Sequence, residues 1–313
     1  MKREPGVEIR SYSVAVVGAG PSGIACALQL EKYGVDFVVF EKAKPGGLLC
    51  EASLVTNYPG YPGGISGREL SGLMSDQLNQ SGAEVIVEEV VDVRLDGRKF
   101  LIETSKGKYL AQRLVVASGT VPKSLNGIEI DRSSGVCCPH YSVRELGGAS
   151  GRRVAIVGGG DVAFDYAMTL VCRGMAVTIL VRGDRPKCNR ELLGKVEEKS
   201  DLIQVITGAS VRRVSCREGS CTVTYLAGEN HHQLEVDHLL CAIGRSPALG
   251  FLGESVRSRL EELIKEERLF LIGDVSGGHF RQTAIAVGDG VRVGMKLGIL
   301  LGSQGEAGLR EGN

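Results

Sequence analysis

Short apolar runs rich in β-branched residues alternate along this chain with amphipathic stretches of helical length, and twice a glycine loop joins one to the other. Ser13-Val14-Ala15-Val16-Val17 reads as a buried strand, Ile24 to Leu30 as a helix, and Phe37-Val38-Val39-Phe40 as a second strand ending in Glu41. The loop Gly18-Ala19-Gly20-Pro21-Ser22-Gly23 stands between the first strand and the helix. The plan repeats with Val154-Ala155-Ile156-Val157, the loop Gly158-Gly159-Gly160-Asp161-Val162-Ala163, a helix from Phe164 to Cys172 and the strand Val177-Thr178-Ile179-Leu180. Glycines at these positions permit a tight turn and close backbone approach, while the free N–H groups of the helix start hold a pyrophosphate. One such loop is a weak signal. Two in full strand, loop and helix context predict an α/β chain with two Rossmann-like dinucleotide-binding domains.

The two units differ where the second strand ends, at the place an adenosine ribose would occupy. Glu41 falls 18 residues after Gly23 and suits ribose hydroxyls, the usual arrangement for FAD or NAD. The second unit runs instead into Val181-Arg182-Gly183-Asp184-Arg185-Pro186-Lys187, where Arg182 and Lys187 suit a 2′-phosphate. FAD is therefore assigned to the first pocket and NADPH to the second. NADH stays open, because Asp184 offsets part of the charge and a solvated loop would read the same way.

Three further stretches show how the units are nested. Arg113 to Pro122 is a buried strand running into a glycine turn and a proline, and Leu239 to Pro247 has the same form around Gly244. Leu269 to Ile272 is a strand leading through Gly273 to Asp274, and Arg281-Gln282-Thr283 leads into a helix from Ala284. An acid after a strand suits a ribityl hydroxyl, and the helix start beside it offers N–H donors to a flavin. These joins predict an FAD domain from residues 1–119 and 246–313, with an NAD(P)H domain, residues 120–245, inserted in it; both are three-layer ββα folds. The two crossings would act as a hinge. The polar tail from Gly302 to Asn313 reads as a frayed end.

Composition narrows the class. At 313 residues, 43% of them hydrophobic, the chain can fill two cores. Lys plus Arg equals Asp plus Glu at 37 each, so no overall field recruits nucleic acid or a membrane surface. No apolar run reaches the roughly 18 residues of a membrane span. The apolar stretch after Lys2-Arg3 contains the first glycine loop, so it reads as a strand and not as a secretory signal. An odd count of nine cysteines argues against a disulfide framework, and the protein is expected to be cytoplasmic. Cys26, Cys172 and Cys241 lie in apolar patterns and read as packing residues. Cys216 and Cys221 flank a hairpin tip where a cross-strand pair could form, and His231-His232 reads as a polar turn. No Cys or His grouping has zinc spacing, so no metal is predicted.

Over almost its whole length the chain resembles the low-molecular-weight thioredoxin reductases. Gly46-Gly47-Leu48-Leu49 and the stretch from Thr56 to Gly67 are similar to that family's flavin-covering segment, and Gly273-Asp274-Val275 through Phe280-Arg281-Gln282 to Gly290 is similar to its C-terminal flavin motif. The resemblance implies a homodimer and a large rotation of one domain against the other. It also implies FAD held by Gly18, Gly20, Ser22, Gly23, Glu41, Asn57, Gly273, Asp274, Arg281 and Gln282, with Pro21, Lys42, Gly47, Leu48, Ala117, Gly119 and Thr283 beside them. NADPH would be held by Gly158, Gly160, Asp161, Ala163, Arg182, Lys187 and Gly244, flanked by Val162 and Ile243.

One departure carries the functional question. Family members place Cys-x-x-Cys-Asp shortly before the second glycine loop, where it relays electrons from reduced flavin to thioredoxin. Here the stretch reads Val136-Cys137-Cys138-Pro139-His140-Tyr141-Ser142-Val143, with the cysteines adjacent and no acid after them. Its His-Tyr-Ser-Val segment is similar to the thioredoxin-reductase-like ferredoxin–NADP reductases, which lack the pair. The leading expectation is an NAD(P)H-dependent FAD oxidoreductase whose acceptor, a small redox protein or a small molecule, takes electrons from the flavin directly. That needs alignment of two rings and no side-chain acid or base in the first half reaction. His140 and His279 are candidate proton donors for the second half, each against a structural reading. The alternatives are a disulfide reductase using Cys137 and Cys138, a ferredoxin or flavodoxin reductase, and a non-enzymatic redox sensor.

Overall fold

The computed structural model describes residues 9–131, 139–146, 151–217 and 219–310. Its contacts divide the chain into two compact units, Met1–Val121 with Pro247–Asn313, and Pro122–Ser246. The first unit opens with β1 (Arg10–Val17), α1 (Pro21–Lys32), β2 (Phe37–Glu41), α2 (Gly67–Gln80), β3 (Val85–Val87), β4 (Val90–Asp96), β5 (Lys99–Thr104) and β6 (Lys108–Val116). The chain leaves this unit along β7 (Thr120–Pro122).

The second unit contains β8 (Glu129–Asp131), β9 (Arg153–Val157), α3 (Asp161–Cys172), β10 (Ala176–Leu180), α4 (Arg190–Glu197), β11 (Ile203–Ile206), β12 (Ala209–Arg217), β13 (Ser220–Ala227), β14 (Asn230–Val236), β15 (His238–Cys241) and β16 (Arg245–Pro247). The first unit resumes with α5 (Glu254–Arg257), α6 (Leu260–Lys265), β17 (Leu269–Leu271) and α7 (Thr283–Arg310).

In the first unit the order β3-β2-β1-β6-β5-β4 is parallel from β3 to β6 and antiparallel from β6 to β4. Strand β6 changes partner along its length. Tyr109 to Ala111 pair with β5, and Leu114 to Val116 pair with β17. Because β1 is buried on both faces, its side chains feed two cores by simple alternation. Ala15 and Val17 join Phe40, Phe100 and Ile102 on one side, while Val14 and Val16 join Ile24, Leu30 and Leu297 on the other. The second unit repeats the arrangement with a parallel sheet, β11-β10-β9-β15, and a second sheet, β14-β13-β12-β8. Both units are Rossmann-like three-layer folds. Among the described residues no helix is long and apolar enough to cross a membrane.

Three sequence expectations change here. His231 and His232 belong to β14 and pair with β13, and the His232 ring stacks on Tyr225 at 5.4 Å; the ladder, not the polar composition, decides their conformation. Cys172 is exposed, because it is the last residue of α3 and faces away from the core. Helix α7 continues to Arg310, so most of the supposed frayed tail is helical. Extending an established helix fixes one residue per hydrogen bond and needs no new nucleus. Cys216 and Cys221 stand directly opposite each other in the β12–β13 ladder, both buried and both thiols.

Helix α7 docks on α1 along a row of glycines four residues apart. A Cβ on Gly290 would lie 2.1 Å from the Ser22 carbonyl oxygen, one on Gly294 2.6 Å from the Gln29 Cβ, and one on Gly298 2.3 Å from the Tyr33 ring. Gly288, on the exposed side of the same helix, has nothing within 4 Å of a Cβ position. Alanine is favoured over glycine inside a helix by about 1 kcal/mol, whereas overpacking a close contact costs about 1–3 kcal/mol. Thermal unfolding should therefore show Gly288→Ala raising the midpoint and Gly290→Ala lowering it. Equal midpoints would mean that α7 does not need the close approach.

Candidate functional site

The loop after β1 is shaped by two close backbone contacts. Gly18 has φ +105°, and a Cβ there would also meet the Ala117 carbonyl oxygen at 2.4 Å, so conformation and space both require glycine. A Cβ on Gly23 would come within 1.9 Å of the Gly18 carbonyl oxygen, which fixes the first turn of α1 against the strand end. Gly20, between them, has nothing within 4 Å of its Cβ position. It is also the N-cap of α1 and offers no side-chain cap, so the N–H groups of the helix start face that open space. Two glycines are thus consumed by the fold and the middle one is presented, as a cradle for a phosphate requires.

Glu41 closes the loop from the side. Its Oε2 accepts from the Ala19 N–H at 2.8 Å and its Oε1 from the Ala43 N–H at 3.1 Å. Lys42 beside it is exposed. The segment after β2 returns to the loop, where the Gly46 N–H donates to the Ala19 carbonyl at 2.8 Å and a Cβ on Gly47 would meet the Gly20 Cα at 3.1 Å. Leu48 is exposed there. The chain from Thr56 to Gly64 forms a loop closed by reciprocal backbone bonds between Val55 and Ile65, 2.8 and 3.0 Å. From that loop the Asn57 Nδ2 donates to the Gln282 Oε1 at 2.8 Å, so residues 225 apart in sequence are joined just before α7. Gly273 is held below: a Cβ on it would overlap the Ser22 hydroxyl at 2.5 Å, and its N–H donates to Asp289 at 3.2 Å. The structure therefore gathers Gly18, Gly20, Pro21, Ser22, Gly23, Glu41, Gly47, Ala117 and Gly273 around one helix start. Asn57 and Gln282 form a second pair; Asp274, Arg281 and Thr283 follow Gly273 into α7, and Gly119 lies beyond β6.

The second unit reproduces the backbone bonds of this arrangement at the strand ends. Gly158 N–H donates to the Leu180 carbonyl at 3.1 Å where Gly18 N–H donates to Phe40 at 2.8 Å, and Ala242 donates to Val157 where Ala117 donates to Val17, both at 2.8 Å. A Cβ on Gly158 would meet the Ala242 carbonyl at 2.4 Å, whereas Gly160 faces open space and caps α3 without a side chain. Ala163, fully buried, takes the place of the third glycine. Register now supplies what spacing alone did not. Val17 pairs with Phe40 and Val157 with Leu180, so Val181 is the counterpart of Glu41 and Arg182 that of Lys42. No carboxylate stands at the strand end, and the exposed Arg182 and Lys187 follow it. Val162 and Ile243 are exposed, and Gly244, with its carbonyl accepting from Lys123 N–H at 3.0 Å, lies past the end of β15.

Cys137 and Cys138 lie outside the described residues. His140 is placed by its backbone, which exchanges bonds with Leu239 and Cys241 at 2.8 Å each and so extends the edge of the parallel sheet at β15. Its Nδ1 lies 3.3 Å from Glu145, and its ring stands edge-on to His238 at 5.6 Å. Val143 and Leu146, further along, are buried in the core beside α3. The His-Tyr-Ser-Val segment is thus anchored as part of the second unit's framework. His279 is exposed. Among the described residues, no three His, Cys, Asp or Glu side chains converge to hold a metal.

Comparison with known proteins places these features together. The family model for pyridine nucleotide-disulphide oxidoreductases matches residues 12–290. Thioredoxin reductase of Listeria innocua is 28% identical over 304 residues, 90% of this chain and 92% of that protein. Thioredoxin reductase of Bacillus subtilis is 26% identical over 296 residues, 90% of this chain and 92% of its own. The crystal structure of T. acidophilum thioredoxin reductase superposes with a TM-score of 0.79 at 26% identity, covering 92% of this chain and 98% of that one.

His238 makes the stability of this unit sensitive to acid. His238 accepts from or shares its Nε2 with the Arg152 guanidinium at 2.8 Å, and burial, with Arg152 and His140 adding to it, pushes its pKa below the ordinary 6.5; Asp237 opposes the shift. A histidine whose pKa is lowered by folding binds its proton more readily in the unfolded chain. The contribution of His238 to stability is therefore level above pH 6.5 and falls as pH drops through the window below it. Thermal unfolding of His238→Gln should show a shallower loss between neutral and mildly acidic pH than the wild type. Identical slopes would exclude His238 as the group responsible.

Proposed function

The chain belongs to the pyridine nucleotide-disulphide oxidoreductase family, and we propose that it passes electrons from its flavin directly to an acceptor rather than through a Cys-x-x-Cys relay. It is a thioredoxin reductase-like, flavin-dependent NAD(P)H oxidoreductase with FAD and NADPH as cofactors. The residues fit that pair. In the first unit the open space at Gly20, the uncapped start of α1 and the carboxylate of Glu41 suit the pyrophosphate and ribose of FAD. In the second, the open space at Gly160 and the exposed Arg182 and Lys187, with Val181 where a carboxylate would repel a phosphate, suit NADPH. When bound, FAD supplies a two-electron relay between nicotinamide and acceptor. The chain's own residues bind, orient and exclude water.

The observation that carries the direct route is the cysteine spacing. None of the nine cysteines has another three positions away, and at the place where relatives of this type carry their dithiol, Cys137 and Cys138 are adjacent. A disulfide between neighbours closes a strained eight-membered ring, which favours the dithiol and slows its formation. The acceptor is then a small redox protein or a small molecule that reaches the flavin itself. A homodimer and a reducing, cytoplasmic setting accompany this reading, the latter supported by cysteine usage without a disulfide framework. A second reading, reduction of a disulfide through Cys137 and Cys138, draws support from the thioredoxin reductases among its relatives.

Anaerobic stopped-flow mixing separates the readings. NADPH should bleach the flavin band rapidly. The Cys137→Ser/Cys138→Ser double variant should keep bleaching and turnover with a direct electron acceptor to within about twofold of wild type. Loss of turnover with a disulfide substrate that the wild type reduces would transfer the function to the dithiol, and no bleaching by NADPH or NADH would overturn the reductase reading itself.

A further inference from the structure

We propose that Asn189 is the residue that holds the Arg182–Lys187 loop in place for a 2′-phosphate, and so sets the preference for NADPH over NADH; this rests on the assignment of NADPH to the second unit. In both units the segment after the second strand returns to the glycine loop by one backbone bond, Gly46 N–H to the Ala19 carbonyl at 2.8 Å and Lys187 N–H to the Gly159 carbonyl at 2.6 Å. The side-chain tie differs: in the first unit it is Glu41 at the strand end, which accepts from the Ala19 N–H at 2.8 Å, whereas in the second it is a clasp at the far end of the loop. The Asp161 Oδ1 accepts from the Asn189 backbone N–H at 2.7 Å and from its Nδ2 at 3.2 Å. In the first unit the residue at the same point of the loop is Pro21, which has no such acceptor.

Asn189 has a second task. Its Oδ1 accepts from the Leu192 N–H at 2.9 Å and caps α4. One amide thus ties the first residue of α3 to the first turn of α4, with the cationic loop running between them. The other end of that loop is fixed by the Ala209 N–H to the Val181 carbonyl at 2.9 Å and the Gly208 N–H to the Gly183 carbonyl at 3.0 Å. Arg182 and Lys187 are themselves exposed, so their own packing does not hold them. An unfixed loop would spend the phosphate's binding energy on ordering these long side chains. Within this proposal Asp161 acts through Asn189: its Oδ1 accepts both from the backbone N–H and from the Nδ2 of that residue.

The clasp and the helix cap can be separated by mutation. Asn189→Asp keeps an oxygen to cap α4 but sets a carboxylate against Asp161. Calorimetric titration of the holoprotein with adenosine 2′,5′-bisphosphate and with AMP reads the 2′-phosphate contribution without turnover. Wild type should bind the bisphosphate more tightly. Asn189→Asp should weaken that binding roughly tenfold while leaving AMP within about twofold, and should raise the KM for NADPH with kcat and the KM for NADH unchanged. The exchange Asp161→Asn with Asn189→Asp restores a donor and an acceptor at the clasp and should recover the preference. Equal weakening of both nucleotides, or no change in either, would overturn the role of Asn189 while leaving the NADPH assignment standing. Equal binding of the two nucleotides by wild type would overturn both.

Discussion

Both units depend on a backbone without a side chain at the end of a strand. Gly18 and Gly158 sit where the first strand of each unit turns into its helix, and in both the carbonyl of the adjacent strand occupies the place a Cβ would need, 2.4 Å away. A side chain there would push the third strand off the first and lose the parallel pairing that carries the buried cores on either side. The rest follows from that contact. With the strand ends locked, the helix starts are delivered uncapped above the sheet, and the middle glycine of each loop faces open space. In the first unit the constraint extends to a second layer, since Gly290 and Gly273 close on Ser22 from α7 and from the end of β17.

Given two scaffolds with the same backbone bonds at their strand ends, specificity has to come from the few positions where they differ. The most telling is the position after Phe40 and Leu180, at the end of the second strand. Glu41 spends both carboxylate oxygens on backbone N–H groups of its own neighbourhood, yet each oxygen has a further lone pair for a ribose hydroxyl. Val181 at the matching register offers nothing to a hydroxyl and instead packs over Gly159, with its Cγ1 2.7 Å from that glycine's Cβ position. The valine shuts out any side chain at Gly159, and it leaves the cations that follow without a competing acid at the strand end. A polar task in one unit has become a packing task in the other.

Much of this was legible in the sequence because it depends on local chemistry. Buried β-branched runs, glycine spacing and an acid at a fixed distance each report one strand, one turn or one site. What was not legible depends on pairing. The equivalence of Glu41 with Val181 needs the strand register, and the clasp between Asp161 and Asn189 spans 28 residues. His231 and His232 look like a turn by composition, but β13 supplies partners for their backbone and Tyr225 a surface for a ring. Cys172 fits the apolar pattern of α3, yet the end of a helix turns away from the core that its middle faces. The bond between Asn57 and Gln282 likewise joins motifs that only the fold brings together.

The same contrast bears on the chemistry. A relay through a dithiol asks that one thiol attack and the other resolve, and the adjacent placement of Cys137 and Cys138 suits that less well than two thiols separated by two residues, which is the ground of our proposal. A chain that passes electrons straight from a flavin needs no reactive side chain, only an accessible ring and a fixed donor, which are properties of the scaffold. The His-Tyr-Ser-Val segment that follows the cysteines has a structural role. His140 is spent on sheet pairing with β15, and Val143 and Leu146 on the core, so these residues belong to the unit's framework. Selectivity in such a reductase then lies in how firmly the nucleotide loops are held.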